Sequence, residues 1–389
     1  MSSGKKILIS GGGIAGCTLA YFLKQYGFTP VVVESAPEFK HIGYLLALNE
    51  QIGQKVAEKM GILEKLKTYE VHLTRNIIND MYGKLILDFD APPKLHNENT
   101  GLMLNRADLH MTLFDQIKND VEFRFDEEIS AIAQDTEGAE VTFKNGAKER
   151  FDLVVGADGV HSKTRELVFG TGFEKYLGTA YFAFIVPNRT GAPVAKERDL
   201  VMMRGKEFLL AYHATSSGIG IGGYIFHAAK VFDALSPQAR RTYMLENYGK
   251  FNKMFQHILE HLTPEDSIFH GPFTQIIMPQ WHKGRVCLIG DAAHCPTPAS
   301  GLGASMAMAD AYILAKKLSE ETDYTVAFAA YDAHVRPYIA KAQRTAITAS
   351  KILTGTSIVP YELTNAILRK VPARFITTIH SHKLEMPLP

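Results

Sequence analysis

Apolar and polar positions change their period twice near the start of the chain. Residues 6–10, KILIS, form a short apolar run, and a glycine-rich segment, GGGIAG, follows directly at 11–16. The next residues, CTLAYFLKQYG at 17–27, repeat their apolar positions with the helical period and end in glycine. A second apolar run, TPVVVE, occupies 29–34. A strand, a tight turn, a helix and a second strand in this order predict the opening βαβ unit of an α/β domain.

The glycines of this unit have a spacing that suits a bound dinucleotide. Gly11 permits the tight turn, Gly13 lets the backbone approach a pyrophosphate, and Gly16 lets helix and strand pack closely. The helix N-terminus offers unpaired N–H groups to the phosphates. Glu34 ends the second strand, where a carboxylate accepts hydrogen bonds from ribose hydroxyls. The unit predicts an ADP-binding site, for NAD or for FAD. The predicted ADP-binding residues are Gly11, Gly13, Ile14, Ala15, Gly16, Glu34 and Ser35.

Two later apolar runs end in similar turns. DLVVGADG occupies 152–159, after a hairpin-like segment at about 121–150, and RVCLIGD occupies 285–291. Each run predicts a buried strand that ends in glycine and aspartate. Ligands of open α/β sheets bind outside the carboxyl ends of the strands. We therefore expect the three turns to lie together around one ligand.

These motifs together resemble the class A flavin-dependent monooxygenases, the single-component hydroxylases with the para-hydroxybenzoate hydroxylase fold. The resemblance is carried by G-x-G-x-x-G at 11–16 with Glu34, by D-G-x-x-S-x-x-R at 158–165, and by G-D-A-A-H with P-x-x-G-x-G at 290–303. It implies an α/β protein of two domains, in which a Rossmann-like FAD-binding domain carries an inserted antiparallel-sheet substrate domain and C-terminal helices. FAD is the implied cofactor.

The resemblance also implies a role for each later motif. Asp291 would hydrogen-bond the ribityl chain, and the turn at 298–303 would begin a helix that faces the flavin ring and favours negative charge on it. Asp158 and its neighbouring glycine would lie by the pyrophosphate and help NAD(P)H engage, and Arg106 would lie against the flavin. Ala304-Ser305 departs from the family, in which many members carry asparagine here. The implied cofactor residues are Arg106, Asp158, Gly159, Gly290, Asp291, Pro298, Gly301, Leu302, Gly303 and Ala304.

The implied reaction is a hydroxylation in which the flavin supplies the reactive atoms. NAD(P)H, with NADPH favoured, reduces FAD as a transient co-substrate. O2 then adds to the flavin, and the C4a-hydroperoxide transfers oxygen to an activated ring or enol carbon. No side chain is then an obligatory acid or base. The expected substrate is a flat aromatic or polyketide molecule.

Two narrower interpretations and two alternatives stay open. The sequence of residues 274–298 and the terminal helices resemble the tetracycline-inactivating monooxygenases, which implies a tetracycline as substrate. A simple phenol or another secondary metabolite fits the class equally well as substrate. A flavin reductase of the same fold and a flavoprotein that only binds its ligand are the alternatives. A flavin halogenase is disfavoured, since Trp281 is the only tryptophan and no W-x-W-x-I-P motif exists.

The motifs divide the chain into expected domains. The FAD-binding domain is expected at 1–73, 101–174 and 271–330, the substrate domain at 74–100 and 175–270, and a helical cap at 331–389. The substrate segments alternate apolar and aromatic residues, which predicts an antiparallel sheet over the flavin. Its expected pocket residues are Phe182, Phe184, Met203, Arg204, Tyr212 and Tyr224.

Composition narrows the class of protein and its partners. The 389 residues are 46% hydrophobic and 21% charged with a formal net charge of +1, so neither nucleic acid nor a membrane surface is an expected partner. Segment 208–229 lacks charge, but a turn at 215–218 makes it a hairpin rather than a membrane span. Three cysteines fit a reducing compartment. We expect a cytoplasmic monomer.

The remaining polar clusters are interpreted without special chemistry. Asp291, His294 and Ser300 lack the G-x-S-x-G elbow of a hydrolase. His294 and Cys295 are interpreted as packing residues under the flavin. His257 and His261 have the spacing of a zinc pair but no third ligand, so no metal site is expected.

Overall fold

The computed structural model describes residues 4–39, 45–90, 101–187, 199–206, 208–215, 218–226, 234–249, 256, 259–260, 268–353, 361–370 and 386–389. The strands are β1 (Lys6–Ser10), β2 (Thr29–Glu34), β3 (Leu45–Leu48), β4 (Arg75–Asp80), β5 (Leu85–Asp90), β6 (Leu102–Asn105), β7 (Glu122–Phe125), β8 (Ile129–Gln134), β9 (Ala139–Phe143), β10 (Lys148–Phe151), β11 (Leu153–Gly156), β12 (Glu174–Pro187), β13 (Asp199–Arg204), β14 (Phe208–Thr215), β15 (Gly218–Phe226), β16 (Phe269–Ile276), β17 (His282–Lys283) and β18 (Val286–Leu288). The α-helices are α1 (Ile14–Gln25), α2 (Lys55–Lys59), α3 (Leu63–Thr68), α4 (Arg106–Asp115), α5 (Lys163–Phe169), α6 (Pro237–Asn247), α7 (Asp291–His294), α8 (Gly303–Glu320), α9 (Tyr324–Leu353) and α10 (Tyr361–Leu368). A π-helical turn covers Glu50–Gln54, and a 3₁₀ turn covers Pro298–Ser300.

The three apolar runs before the glycine and aspartate turns lie side by side in one sheet. The order of its strands is β17-β18-β11-β1-β2-β7, and all neighbours are parallel except β17 and β18. β1, β11 and β18 are buried almost throughout, as expected for parallel strands covered on both faces. Their carboxyl ends therefore meet at one edge, where the predicted motifs lie.

The segment at 121–150 forms more than the predicted hairpin. β7 joins the parallel sheet beside β2, and β8, β9 and β10 form a separate antiparallel sheet of three strands. A short sheet also pairs β3 with β6. Phe143 and Phe151 of the three-stranded sheet are buried against Val31 and Val154 of the parallel sheet.

Helices α1 and α8 cover the parallel sheet and pack on each other. Leu19 and Leu23 of α1 and Ile313 and Leu314 of α8 are completely buried in the same apolar core. Burial of four such side chains contributes on the order of 6–12 kcal/mol before conformational entropy is subtracted. The packing sets the distance between the glycine-rich turn and the turn that precedes α8.

The two insertions predicted to form the substrate domain supply one sheet of seven strands. Its order is β16-β12-β15-β14-β13-β4-β5. β14 and β15 form the predicted hairpin, with Thr215 opposite Gly218. The sheet is not wholly antiparallel as expected, because β4 and β13 come from separate insertions and pair in parallel. β16 also belongs to this sheet, although we placed residues from 271 onward in the FAD-binding domain.

The seven-stranded sheet has one face against a core and one face toward a cavity. Phe184, Met203 and Leu210 pack on Met244 of α6 and on Tyr248 just beyond it, in a second apolar core. Successive side chains of a strand point to opposite faces, so residues of the other parity lie away from α6. That second face looks toward the edge of the parallel sheet.

The C-terminal region packs on both sheets. α9 begins at Tyr324, earlier than predicted, and contains Pro337. α10 lies within the helical cap expected at 331–389, of which residues 371–385 lie outside the described residues. Arg369 donates a hydrogen bond at 2.8 Å to Asp80 of β4. His334 of α9 contacts the carbonyl oxygen of Pro387 at 2.8 Å. No helix in the described ranges is long and apolar enough to cross a membrane.

Candidate cofactor and substrate site

The glycine-rich turn is shaped by close contacts between backbones. Gly11 has φ of +104°, and a Cβ added to it would lie 2.5 Å from the carbonyl oxygen of Ala157. A Cβ on Gly16 would overlap the carbonyl oxygen of Gly11. A Cβ on Gly13 would meet no atom within 4 Å. Gly11 and Gly16 are therefore required by the fold itself, whereas Gly13 keeps open a space that belongs to the cavity.

Glu34 and His110 hold the same turn from two sides. Glu34 Oε2 accepts a hydrogen bond from Gly12 N at 2.9 Å, and its Oε1 accepts one from Ala36 N at 2.9 Å. His110, buried in α4, contacts the Gly12 carbonyl oxygen through Nε2 at 2.7 Å. Ser35 is exposed beside Glu34. His110 was not predicted, because its only signal is a polar residue within an otherwise ordinary helix.

In the Asp158-Gly159 turn, the carboxylate of Asp158 mainly stabilises the start of helix α5. Asp158 Oδ2 accepts hydrogen bonds from Thr164 N at 2.9 Å and from its hydroxyl at 2.8 Å, and Oδ1 accepts one from Ser162. Ser162 in turn caps α5 by accepting from Arg165 N at 2.9 Å. Gly159, with φ of +77°, lines the cavity. The aspartate therefore orients the turn, and the glycine presents its backbone to the cavity.

Arg165 connects this turn to the Gly290-Asp291 turn. Its side chain is buried, and it donates hydrogen bonds to the carbonyl oxygen of Ala292 at 3.0 Å and to Glu174 at 2.6 Å. Gly290 adopts φ of +58°, and α7 begins at the next residue. Two motifs that lie far apart in the sequence are thus joined by one buried guanidinium.

Asp291 contributes a carboxyl group to the cavity wall. Burial raises the pKa of this carboxyl, and the neighbouring Cys295 thiol, which hydrogen-bonds it, lowers it in part. The thiol is itself buried, and burial raises its pKa well above the ordinary value. Cys295 is therefore a protonated hydrogen-bond donor, not a reactive thiolate.

His294 has a polar partner, contrary to its prediction as a packing residue. Its Nε2 lies 3.0 Å from Asp310 Oδ2 in α8, and both side chains are buried. Asp310 Oδ2 also accepts a hydrogen bond from Gly290 N at 3.1 Å. The indole of Trp281 packs on the imidazole with ring centroids 4.4 Å apart. The pair therefore fastens the Gly290 turn to α8.

The turn before α8 leaves open space where two glycines stand. Gly301 has φ of +63°, and an added Cβ at Gly301 or Gly303 would meet nothing within 4 Å. No side chain caps the N-terminus of α8. Ser305 is buried and accepts a hydrogen bond from Asn49 N at 2.9 Å. Its hydroxyl thus ties α8 to the chain before the π-helical turn.

A cavity of about 530 Å³ lies between these turns and the seven-stranded sheet. We call the side toward the seven-stranded sheet the sheet wall and the side toward the parallel sheet the nucleotide wall. Ten of the predicted cofactor residues line the nucleotide wall. They are Gly13, Ile14, Ala15, Arg106, Gly159, Asp291, Pro298, Gly301, Gly303 and Ala304. The other seven, which support the wall from behind or flank it, are Gly11, Gly16, Glu34, Ser35, Asp158, Gly290 and Leu302.

Only two of the six predicted substrate residues border the cavity. Tyr224 lines it, and Phe182 borders both the cavity and the core under α6. Phe184 and Met203 lie in that core, and Tyr212 packs against it. Arg204 instead donates a hydrogen bond at 2.6 Å to Asn365 of α10. The prediction was off by one residue in β13 and β14, whose cavity-lining residues are Leu200, Met202, Leu209, Ala211 and His213.

The residues of this wall fit a bound dinucleotide flavin. An added Cβ at Gly13, Gly301 or Gly303 would meet no described atom within 4 Å, and all three glycines line the cavity. A family model described as an FAD binding domain matches residues 5–345. The chain belongs to this family of FAD-binding proteins.

Relatives and solved structures identify the class of this FAD-binding protein. It is 29% identical to a flavin-dependent monooxygenase of an unknown prokaryotic organism, over 97% of the chain and 98% of the relative. It is also 29% identical to a flavin-dependent monooxygenase of Legionella longbeachae serogroup 1 (strain NSW150), over 90% of each. The structure of the tetracycline destructase Tet(51) matches with a TM-score of 0.80 and 28% identity over 100% of both chains. The protein is an FAD-dependent monooxygenase of class A.

A more distant structure shares the fold. Klebsiella pneumoniae HpxO, complexed with FAD and uric acid, matches with a TM-score of 0.80 and 22% identity over 96% of this chain and 95% of that chain. Within the described residues, no group of histidine, cysteine and carboxylate side chains could hold a metal ion. His257 and His261 lie outside the described residues.

Proposed function

We propose that this monooxygenase uses NAD(P)H, with NADPH favoured, and O2 to hydroxylate a flat aromatic or polyketide substrate, with tetracyclines as one candidate. The observation that carries the proposal is one cavity bounded by two different walls. The nucleotide turns form one side, and an apolar sheet forms the other, within about 530 Å³.

The side chains and backbone of the wall would hold and orient FAD. The turn at Gly13 and the N-terminus of α1 would receive the pyrophosphate, Glu34 the ribose, and Asp291 the ribityl chain. The uncapped N-terminus of α8 would favour negative charge on the ring. Bound FAD, reduced by NAD(P)H, supplies the activation of O2.

The sheet wall would position the substrate and exclude water. Its side chains are mostly apolar, among them Leu200, Met202, Leu209 and Ile221. Such a wall binds flat apolar ligands through area rather than charge, which fits an aromatic or polyketide substrate. The similarity to Tet(51) supports tetracyclines as candidates.

Turnover and product mass test the proposal together. NADPH oxidation by the purified FAD-loaded protein is measured with tetracycline, with simple phenols and without substrate. We expect substrate-stimulated oxidation and a product heavier by one oxygen atom. Oxidation of a phenol but not of tetracycline would remove only the narrow candidate. Reduction of the substrate without oxygen gain would favour the flavin reductase instead.

A further inference from the structure

A histidine stands in the largely apolar sheet wall of the cavity. His213 of β14 lines the cavity, and only 6% of the residue is exposed. Its Nε2 is buried and has no hydrogen-bond partner among the described residues. Its ring packs on Gly220 of β15, where an added Cβ would lie 2.5 Å from the imidazole. Gly220 thus leaves room for the imidazole of His213, whose Nε2 has no partner among the described residues.

An unpaired buried nitrogen is costly to retain. Leu209 and Ala211, on the same face of β14, and Gly220, opposite His213 in β15, offer no polar side-chain atom. A buried polar group without a hydrogen bond lowers stability, so its presence favours a partner supplied by a ligand. Burial also lowers the pKa of His213, so the ring is neutral and carries one donor and one acceptor nitrogen.

The charged groups of the cavity lie on the opposite side. In the described chain, the charged lining residues are Arg106 and Asp291, both on the nucleotide wall. Arg204, the cation nearest along β13, is directed to Asn365. The remaining polar side chains of the sheet wall are Tyr181, Tyr224 and Thr274, which are uncharged at neutral pH. This wall suits a hydroxyl group better than a carboxylate.

We propose that His213 determines specificity by hydrogen-bonding a phenol or enol hydroxyl of a neutral, flat substrate. The inference rests on the proposed function, because it assigns this wall to the substrate. A neutral imidazole accepts from or donates to a hydroxyl with equal ease, whereas it gives a carboxylate no compensating charge. Ligands with a ring carboxylate should therefore be disfavoured.

Equilibrium binding to the FAD-loaded protein, without NADPH, tests this role. Isothermal titration compares 2-naphthol, naphthalene and 2-naphthoate on the unaltered protein and on His213→Phe and His213→Gln. We expect 2-naphthol to bind about 3- to 10-fold more tightly than naphthalene, the value of one net hydrogen bond. His213→Phe should abolish that ratio, and His213→Gln, which keeps a donor and an acceptor, should retain part of it.

The matched control is Tyr212→Phe, which removes a polar group from the adjacent residue on the core side of the sheet. It should leave the ratio of naphthol to naphthalene affinity unchanged. A ratio that survives His213→Phe would overturn the proposal. So would an unaltered protein that fails to prefer 2-naphthol to both other ligands. Because no turnover is measured, a protein that oxygenates nothing can still pass this test, and the two proposals fail separately.

Discussion

Replacing Asp310 with alanine should remove the fastening between the Gly290 turn and α8. Asp310 Oδ2 is the shared partner of Gly290 N at 3.1 Å and His294 Nε2 at 3.0 Å. Without it, two buried polar groups lose their partner, at about 1–3 kcal/mol each, and a small void remains. We expect the free energy of unfolding to fall by about 3–5 kcal/mol, the usual loss when a buried pair is broken. Asp310→Asn keeps an acceptor oxygen and should lose less.

Urea denaturation followed by tryptophan fluorescence measures this loss. Trp281, the single tryptophan, packs directly on His294 and therefore reports on the affected region. Circular dichroism records the whole chain in the same titration. The control is Asp88→Ala, which breaks an exposed ion pair to Arg75 and should have little effect. An Asp310→Ala protein no less stable than the Asp88→Ala protein would refute the assignment of the pair.

Three further outcomes are expected. Gly16→Ala should destabilise the fold by more than about 3 kcal/mol, because its Cβ overlaps backbone, whereas Gly13→Ala should keep its melting temperature and retain less FAD. A Gly16→Ala protein that melts at the temperature of the unaltered protein would contradict the first expectation. A Gly13→Ala protein that retains as much FAD as the unaltered protein would contradict the second. Burial raises the pKa of the Asp291 carboxyl above 3.8, so the folded state keeps its proton longer than the unfolded chain. The stability of the flavin-free protein should then fall as pH rises above that value, and Asp291→Asn should lessen the fall. If the melting temperatures of the unaltered protein and of Asp291→Asn change with pH in the same way from pH 4 to 7, this expectation is excluded. The three cysteines are buried, and burial raises each thiol pKa, so a disulfide reagent at pH 8 should label none in the folded protein and all three in urea. Rapid labelling of the folded protein would contradict their burial.

The nucleotide wall could be predicted from sequence because backbone geometry restricts its residues. Gly11 needs a positive φ, Gly16 sits against another backbone, and Gly290 needs a positive φ before α7. Such constraints leave glycine in the sequence as a local signal. The three strands that carry these turns were predicted from their apolar runs, since both faces of a parallel sheet are covered. Residues that act through distant contacts, such as His110 and Asp310, leave no local signal.

The sheet wall could not be predicted in the same way, because residue type does not decide its phase. In β14, Phe208 and Leu210 face the core under α6, whereas Leu209, Ala211 and His213 line the cavity. We expected aromatic side chains to line the pocket, but Phe184 and Phe208 fill the core. Alternation fixes which residues share a face, but not which face meets the ligand.

Strand β16 of the seven-stranded sheet and the cofactor turn that ends at Cys295 both contact one glutamine of α9. Gln343 Nε2 donates to the carbonyl oxygens of Ile276 at 2.8 Å and His294 at 3.2 Å, and its own carbonyl oxygen accepts from Gln275 Nε2 at 2.8 Å. Gln343 therefore joins the last strand of the seven-stranded sheet, the cofactor turn and helix α9. A shift of α9 would move the end of β16 and the turn at Cys295 together. Helix α9 thus links the two cavity walls, although none of its described side chains lines the cavity.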